Sequence, residues 1–277
     1  MKVRKKTLTM PVRLSLMLLF FVLLPAFCLQ LTLFRQYTDV SKYLHRTFEM
    51  SFYAMENTLE TLRIQTNYLA FSSNVEAVLA HPYHGVDRML VRDSETIDRE
   101  FVAATTLSGT FTPQMSLQVA DGRIFGNWSS LRVMNQKTLA RLKSEVLPYR
   151  GIRWYVTDSM LDPSLASLHS PIVMLMRECG VNAEGTVILA LPTSLMNMPT
   201  SIGNEGDMIT LLFDSNNQLL YSSGIDKDAY PYQVAIQACN ERPFYGMSAY
   251  HNKGYYTLSN RMAGNGWLLM QVAVWHL

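Results

Sequence analysis

The chain has 277 residues, 48% of them hydrophobic and 17% charged, with a formal net charge of +2. Lys2, Arg4, Lys5, Lys6 and Arg13 supply much of the positive charge, and without them 19 basic residues face 22 acidic ones. The bulk of the chain is therefore slightly acidic, which argues against nucleic-acid binding, a function that needs a basic face.

Leu14 to Phe34 is 21 residues without a charge. As a helix at about 1.5 Å per residue it covers roughly 30 Å, the thickness of a bilayer's hydrocarbon core. The basic residues before it orient residues 1–13 to the cytoplasm by the positive-inside rule. Residues 35–277 are then expected outside, with the lipid bilayer as one partner. A cleaved signal peptide would have a shorter apolar core and small residues before the cut. Here the core is longer, no small-x-small site closes it, and Phe27 before Cys28 is too large for a lipoprotein site. Pro25 is tolerable inside such a span, because a local kink can satisfy the freed carbonyl.

From Gln36 to about Ala80 the pattern is helical, and residues 35–80 are expected to form a long stalk helix. Apolar side chains fall at Leu44, Phe48, Phe52, Met55, Leu59, Leu62 and Leu69, with Thr66 in the last gap. This near-heptad stripe fits either a core-facing surface in one monomer or the seam of a homodimer. His81-Pro82-Tyr83-His84-Gly85 breaks the helix. The two histidines lack an adjoining acidic or thiol ligand, so no metal site is expected there. A second helix is predicted from Val86 to Leu107, with Met89, Leu90, Ile97 and Phe101 on one side.

Strands begin at Gln114. Asp121-Gly122 between alternating runs signals a hairpin. Asn127 to Ser130, with Trp128, is a polar loop, and Asn135 to Leu147 a short helix. Ile152–Thr157, Pro171–Cys179 and Thr186–Leu191 read as strands. The order then repeats. A hairpin around Asp214 joins Met208–Phe213 to Gln218–Ser222, and a helix follows from Ala229 to Cys239. Three strands complete the second half: Phe244–His251, Gly254–Met262 and Trp267–Val274. Each half thus has a hairpin with Asp at its turn, a helix, a strand, and two strands around a Gly-bearing turn. Such symmetry implies two similar α+β modules.

Cys28 lies in the apolar span, and the spacing of Cys179 and Cys239 matches no metal or redox motif. Two separate thiols are expected rather than a bridge. No nucleophile elbow, Walker loop, zinc motif or paired-carboxylate signature is found. No catalytic residue, metal or cofactor is therefore assigned to these residues.

This arrangement resembles the double Cache sensor domains of bacterial receptors, most closely those of Gram-positive sensor histidine kinases and less closely AraC-type membrane regulators. The resemblance rests on Asn67 to Val75, on Asp121-Gly122-Arg123-Ile124-Phe125, and on Gly266-Trp267-Leu268-Leu269-Met270. It implies an α+β fold with an N-terminal transmembrane helix, a long extracytoplasmic helix and two stacked PAS-like antiparallel-sheet modules. These would be a membrane-distal module at 81–198 and a membrane-proximal one at 199–277. It also implies a small extracellular solute bound in the distal module, under a strand bearing Trp154-Tyr155. Trp128 is a further candidate wall, and Arg153 or Arg150 a cationic contact favouring an acidic or hydroxyl-rich solute. The amino-acid-binding subgroup has Arg two residues before the Trp and Asp near the end of a late strand. Ile152 and Ala190 or Leu191 stand at those places here. Tyr245, Tyr250 and Tyr255 mark the alternative position, in the proximal module. A scaffold role, with the pocket filled by the protein's own side chains, is the competing function.

Overall fold

The computed structural model describes residues 10–82, 88–107, 111–126, 136–157, 172–192, 208–223, 243–250 and 253–275. The expected helix from Ala229 to Cys239, the Trp128 loop, His84 and residues 1–9 of the basic tail lie outside them. The chain falls into two compact units, Met1–Thr47 and Phe48–Leu277.

In the first unit the described residues belong to helix α1 (Met10–Ala70). Every side chain described from Phe20 to Phe34 is exposed, and Phe20, Phe21, Val22, Phe27 and Phe34 are each more than half so. An apolar surface of this kind suits lipid rather than water. The Thr32 hydroxyl donates to the Cys28 carbonyl at 2.8 Å, so its polar group is satisfied within the helix. α1 is the one helix among the described residues that is long and apolar enough to cross a membrane.

The second unit begins with the remainder of α1. Phe48, Phe52, Met55, Leu59, Leu62, Thr66 and Leu69 are all buried. The near-heptad stripe is thus core of this unit, and Met55 and Leu62 are closed to a partner. The expected continuous helix to Ala80 is corrected. Ser72 adopts extended backbone, and its hydroxyl accepts the amides of Asn74 and Val75 to open a second helix, α2 (Ser73–Ala80). A serine that serves two first-turn amides competes well with continuing the helix.

Helix α3 (Arg88–Thr106) buries Ile97, Phe101 and Ala104, but also Asp93 and Glu100. Met89, expected on the buried side, is exposed. The two acids explain the departure. Glu100 accepts from the Ser72 hydroxyl at 2.9 Å and from Asn74 Nδ2 at 2.6 Å. Asp93 meets His81 Nδ1 at 2.9 Å and Arg123 Nη1 at 3.1 Å. Arg123 also donates to the carbonyls of Val78 and His81, so a buried cation closes the end of α2.

The first sheet contains β1 (Gln114–Val119), β2 (Ile124–Gly126), β3 (Arg153–Thr157), β4 (Ile172–Cys179) and β5 (Gly185–Pro192). Helix α4 (Gln136–Glu145) connects β2 to β3. The second sheet contains β6 (Met208–Phe213), β7 (Leu219–Ser223), β8 (Phe244–Tyr250), β9 (Lys253–Arg261) and β10 (Leu268–Trp275). Their orders, β2-β1-β5-β4-β3 and β7-β6-β10-β9-β8, are the same wiring, with antiparallel neighbours throughout. The expected repeat is therefore present in the connectivity. In each sheet the last strand is central, and both faces of β5 and most of β10 are buried. That burial is why they read as continuous apolar runs rather than alternating ones.

The turns follow from their side chains. Gly122 takes a φ of 96° that a side chain would resist, and Asp121 accepts the Arg123 amide at 3.0 Å. Asp214 Oδ1 accepts the amides of Asn216 and Gln218 at 2.8 and 2.7 Å, which fixes the β6–β7 turn.

Candidate functional site

Successive side chains on a strand point to opposite faces, so Trp154 and Tyr155 of β3 enter different surroundings. Tyr155 packs against Leu139 and Leu142 of α4 and against Met174, Met176 and Ile188 of the sheet. Its hydroxyl donates to the Leu142 carbonyl. Burial pushes its pKa well above the usual phenol range, so it remains a neutral donor. Ala190, at a place where the amino-acid subgroup carries Asp, lies in the same apolar cluster.

Trp154 turns the other way, edge-on to Trp267 before β10, with ring centroids 5.7 Å apart and planes at 69°. Such a T-shaped pair is a favoured arrangement of two aromatic quadrupoles. At this edge of β3 a cleft of about 590 Å³ opens between the two sheets. Tyr149, Trp154 and Tyr155 wall it on one side, and Asn216, Asn265 and Trp267 on the other. Its volume falls within the roughly 300–1,000 Å³ typical of small-molecule sites.

The charges at the cleft are engaged. Arg141 lies 3.5 Å from Glu145, one helical turn along α4. Asp214 is held by its two turn amides. The buried donors are not all engaged. Trp154 Nε1 and Asn265 Nδ2 have no hydrogen-bond acceptor among the described residues.

The sequence-predicted residues separate into two groups. Trp154 and Tyr155 share the cleft. Arg153 and Arg150 are not among its lining. Arg153 Nε donates to the Lys143 carbonyl at 3.2 Å, near the end of α4 where carbonyls are free, and its Nη1 lies 3.8 Å from Glu178. Arg150 has a positive φ of 52° and lies with its guanidinium 5.4 Å from the Tyr149 ring centroid. Trp128 and Asp158 lie outside the described residues. Ile152 is buried, so the place of the subgroup's Arg belongs to the core.

The alternative residues lie in the second sheet. Tyr245 packs edge-on to Phe48 at 6.3 Å, Tyr255 belongs to the second sheet's core, and nothing is described of the Tyr250 side chain. Cys179 is a free, buried thiol whose pKa burial raises to about 11, and Cys239 lies outside the described residues.

Sequence reasoning did not foresee the contribution of Tyr149, Asn265 and Trp267. The available signal was the Gly264-Asn265-Gly266-Trp267 turn. Gly266 adopts a φ of 74°, and Asn265 Oδ1 accepts the Trp267 amide at 3.0 Å, so the turn presents both side chains at a defined angle.

No protein-family model and no curated protein matches the sequence. Solved structures do match. The sensory domain of the Campylobacter jejuni chemoreceptor Tlp3 (CcmL) is 13% identical with a TM-score of 0.53, over 85% of this chain and 94% of that one. The same domain with isoleucine bound gives 13% identity and a TM-score of 0.52, over 85% and 93%. A domain of a sensory box/GGDEF family protein from Vibrio parahaemolyticus is 11% identical with a TM-score of 0.51, over 85% and 96%. At these identities the likeness is one of fold. The chain has a long apolar N-terminal helix and two antiparallel five-stranded sheets, in the α+β arrangement of double-Cache-like sensory domains.

Proposed function

We propose that this chain is the extracytoplasmic ligand-sensing part of a membrane signal-transduction receptor. Residues 1–13 are cytoplasmic, 14–34 cross the bilayer and 35–277 face outside. Residues 35–80 are the stalk, 81–198 the membrane-distal module and 199–277 the proximal one. The output is a histidine kinase, or alternatively an AraC-type regulator. The observation that carries the reading is the cleft beside β3, where Trp154 and Tyr155 meet a volume fit for a small solute. The Campylobacter domain of the same fold is known with isoleucine bound. Here Ile152, and Ala190 or Leu191, all buried, stand where the charged partners of an amino-acid site would be, so a different solute class is expected.

A ligand that binds only the folded state raises its stability by mass action. The test is thermal unfolding of the full chain in lipid nanodiscs, followed by tryptophan fluorescence against a panel of small metabolites. At least one should stabilise the protein, and Trp154→Ala should remove the effect while the unliganded variant stays folded. A panel with no stabiliser favours the scaffold role. A stabiliser acting equally on Trp154→Ala moves the site elsewhere.

A homodimer is also part of this reading, through the outer side of α1 rather than its buried stripe. Met50, Tyr53, Asn57, Ile64 and Tyr68 are exposed at steps of 3, 4, 7 and 4, the spacing of a paired-helix seam. Oxidative cross-linking in membranes should link Ile64→Cys and spare Met55→Cys. If Ile64→Cys and cysteines at the neighbouring outer positions all fail to link, the receptor does not pair through this helix.

A further inference from the structure

We infer that α1, the turn before β3 and β4 together form a second site, which takes a compact dianion of the phosphate or sulfate type, as the free ion or as a phosphate monoester. Arg63, Arg150 and Arg177 supply its charge. The inference goes beyond the sensory reading and concerns a different place, since these arginines are not among the lining of the cleft beside β3.

The first observation is the turn. Tyr149 and Ile152 exchange backbone hydrogen bonds at 2.8 and 3.1 Å across Arg150 and Gly151, whose φ values are 52° and 78°. Two left-handed residues in succession suit Asn-Gly, and an Arg in the first place is strained. Outliers of this kind gather where a side chain is held for use. Gly151 is needed for space as well. A Cβ on it would come within 3.3 Å of Arg177 Nη2. The turn therefore carries one guanidinium on a strained residue and admits another against bare backbone.

The second observation is the balance of charge. Glu60 of α1 accepts from Arg63 Nε and Nη2 at 2.7 and 2.5 Å, so that pair cancels. This hydrogen bond, then the charges of Arg63 and Arg150, lower the Glu60 pKa, which puts Arg150 within electrostatic reach of the pair. Arg177 Nη1 donates to Asn67 Oδ1 at 2.6 Å, and its guanidinium lies 4.5 Å from the Phe71 ring centroid. Both partners are neutral. Burial and then the Arg63 charge lower the Arg177 pKa, as for a cation held near another cation. Glu178, next along β4, points to the other face of the sheet and meets Lys143 and Arg153. Three guanidiniums thus share the Glu60 carboxylate. Arg150 is exposed, and Arg63 and Arg177 are half-buried, so a solute reaches them. With Asn67 Oδ1 engaged, its NH₂ is a further donor. A carboxylate brings two oxygens in one plane and a single charge. A tetrahedral dianion brings oxygens on every side and matches the two uncancelled cations. Held there, it fastens α1 to the turn and to β4.

The experiment uses the full chain in phosphatidylcholine nanodiscs at mildly alkaline pH, where phosphate is a dianion. Thermal unfolding is followed in millimolar phosphate, sulfate and glycerol 3-phosphate, against acetate and chloride at matched ionic strength. A dianion should raise the melting temperature saturably, and acetate and chloride should not. Arg150→Asn removes the cation and keeps the turn, because Asn accepts left-handed backbone. Its unliganded melting should hold or rise, while its affinity for the dianion should fall at least about tenfold, the value of a charge-assisted hydrogen bond. Arg177→Gln should weaken binding likewise. A stronger response to glycerol 3-phosphate than to phosphate identifies the ligand as an ester, and the reverse as the free ion. Either supports the site. No response to a dianion, or an equal one to acetate and chloride, shows screening alone and overturns it. A dianion response unchanged in both Arg150→Asn and Arg177→Gln places the anion elsewhere and overturns it too. Neither result touches the reading of the cleft, which is tested through Trp154.

Discussion

Replacing Arg123 by Met removes a guanidinium that joins the first hairpin to the helices behind it. Its side chain is 3% exposed and that of Asp93 4%. Arg123 donates to Asp121 at 2.8 Å, to Asp93 at 3.1 Å, to the Val78 carbonyl at 3.2 Å and to the His81 carbonyl at 3.1 Å. Methionine fills much of the volume but makes none of these bonds. Asp93 is left buried with His81 as its partner among the described residues, and two helix-end carbonyls lose a donor. Removing one partner of a buried ion pair costs about 3–5 kcal/mol. For a domain of this size each kcal/mol moves the melting temperature by about 2–4 °C, so a fall of roughly 6–20 °C is expected. Thermal unfolding of the full chain in nanodiscs reads it. The companion experiment replaces both partners, Arg123→Met with Asp93→Leu. The double variant should recover much of the loss, because an apolar pair needs no compensation. A single variant within about 2 °C of the parent, or a double variant no better than the single, would refute the reasoning that an uncompensated buried charge sets the cost.

Three further outcomes follow from burial and close approach. Leu62→Ala, in the fully buried stripe of α1, should cost about 2–5 kcal/mol, whereas the exposed Ile64→Ala should stay within about 0.5 kcal/mol, by the same melting assay. Gly126→Ala should weaken the β1–β2 pairing, because its Cβ would come 2.8 Å from the Met115 carbonyl oxygen, a backbone atom that cannot turn aside. Hydrogen exchange at β2 measures the effect. The Cys179 thiol should resist a disulfide-exchange reagent in the folded protein, since burial holds its pKa near 11. In the unfolded chain that thiol ionises from about pH 8.5, so stability present below this pH should decline as pH rises toward 11. Melting curves taken across that window read the decline, and a Cys179→Ala variant should flatten the part due to this group.

Much of the scaffold was legible because its signals are local. Asp121-Gly122 and Asp214 mark hairpins through their own side-chain oxygens, and the apolar runs of β5 and β10 follow from burial on both faces. The repeat in order survives as a repeat in wiring. The break at Ser72 was missed because helical periodicity continues through it, while the decisive fact is a hydroxyl serving two amides. The buried side of α3 was misjudged for a longer-range reason. Asp93 and Glu100 look like surface acids until Arg123, Ser72 and Asn74 arrive from distant segments. At the site, Trp154 and Tyr155 were legible as a pair, but not that Trp154 packs on Trp267 while Tyr155, on the same cleft, is anchored in the apolar cluster under α4. Asn265 and Trp267 join Trp154 across more than a hundred residues, a distance over which no periodicity reports. Arg153 and Arg150 were misjudged over shorter spans, because their partners on α4, β4 and the turn at Tyr149 draw them away from the cleft.

The shared wiring carries a consequence for the order of assembly. In both sheets the strand made last sits in the middle, between a hairpin made first and strands made in between. Until β5 arrives, β1–β2 and β3–β4 have no common neighbour, and until β10 arrives the same is true of β6–β7 and β8–β9. The chain therefore emerges from a ribosome or a translocation pore as separate ribbons that wait for a keystone. Pairings this distant in sequence are slow to form and leave open edges meanwhile. Loss of the stretch from Leu268 to Trp275 would thus divide a sheet into two ribbons rather than trim its border.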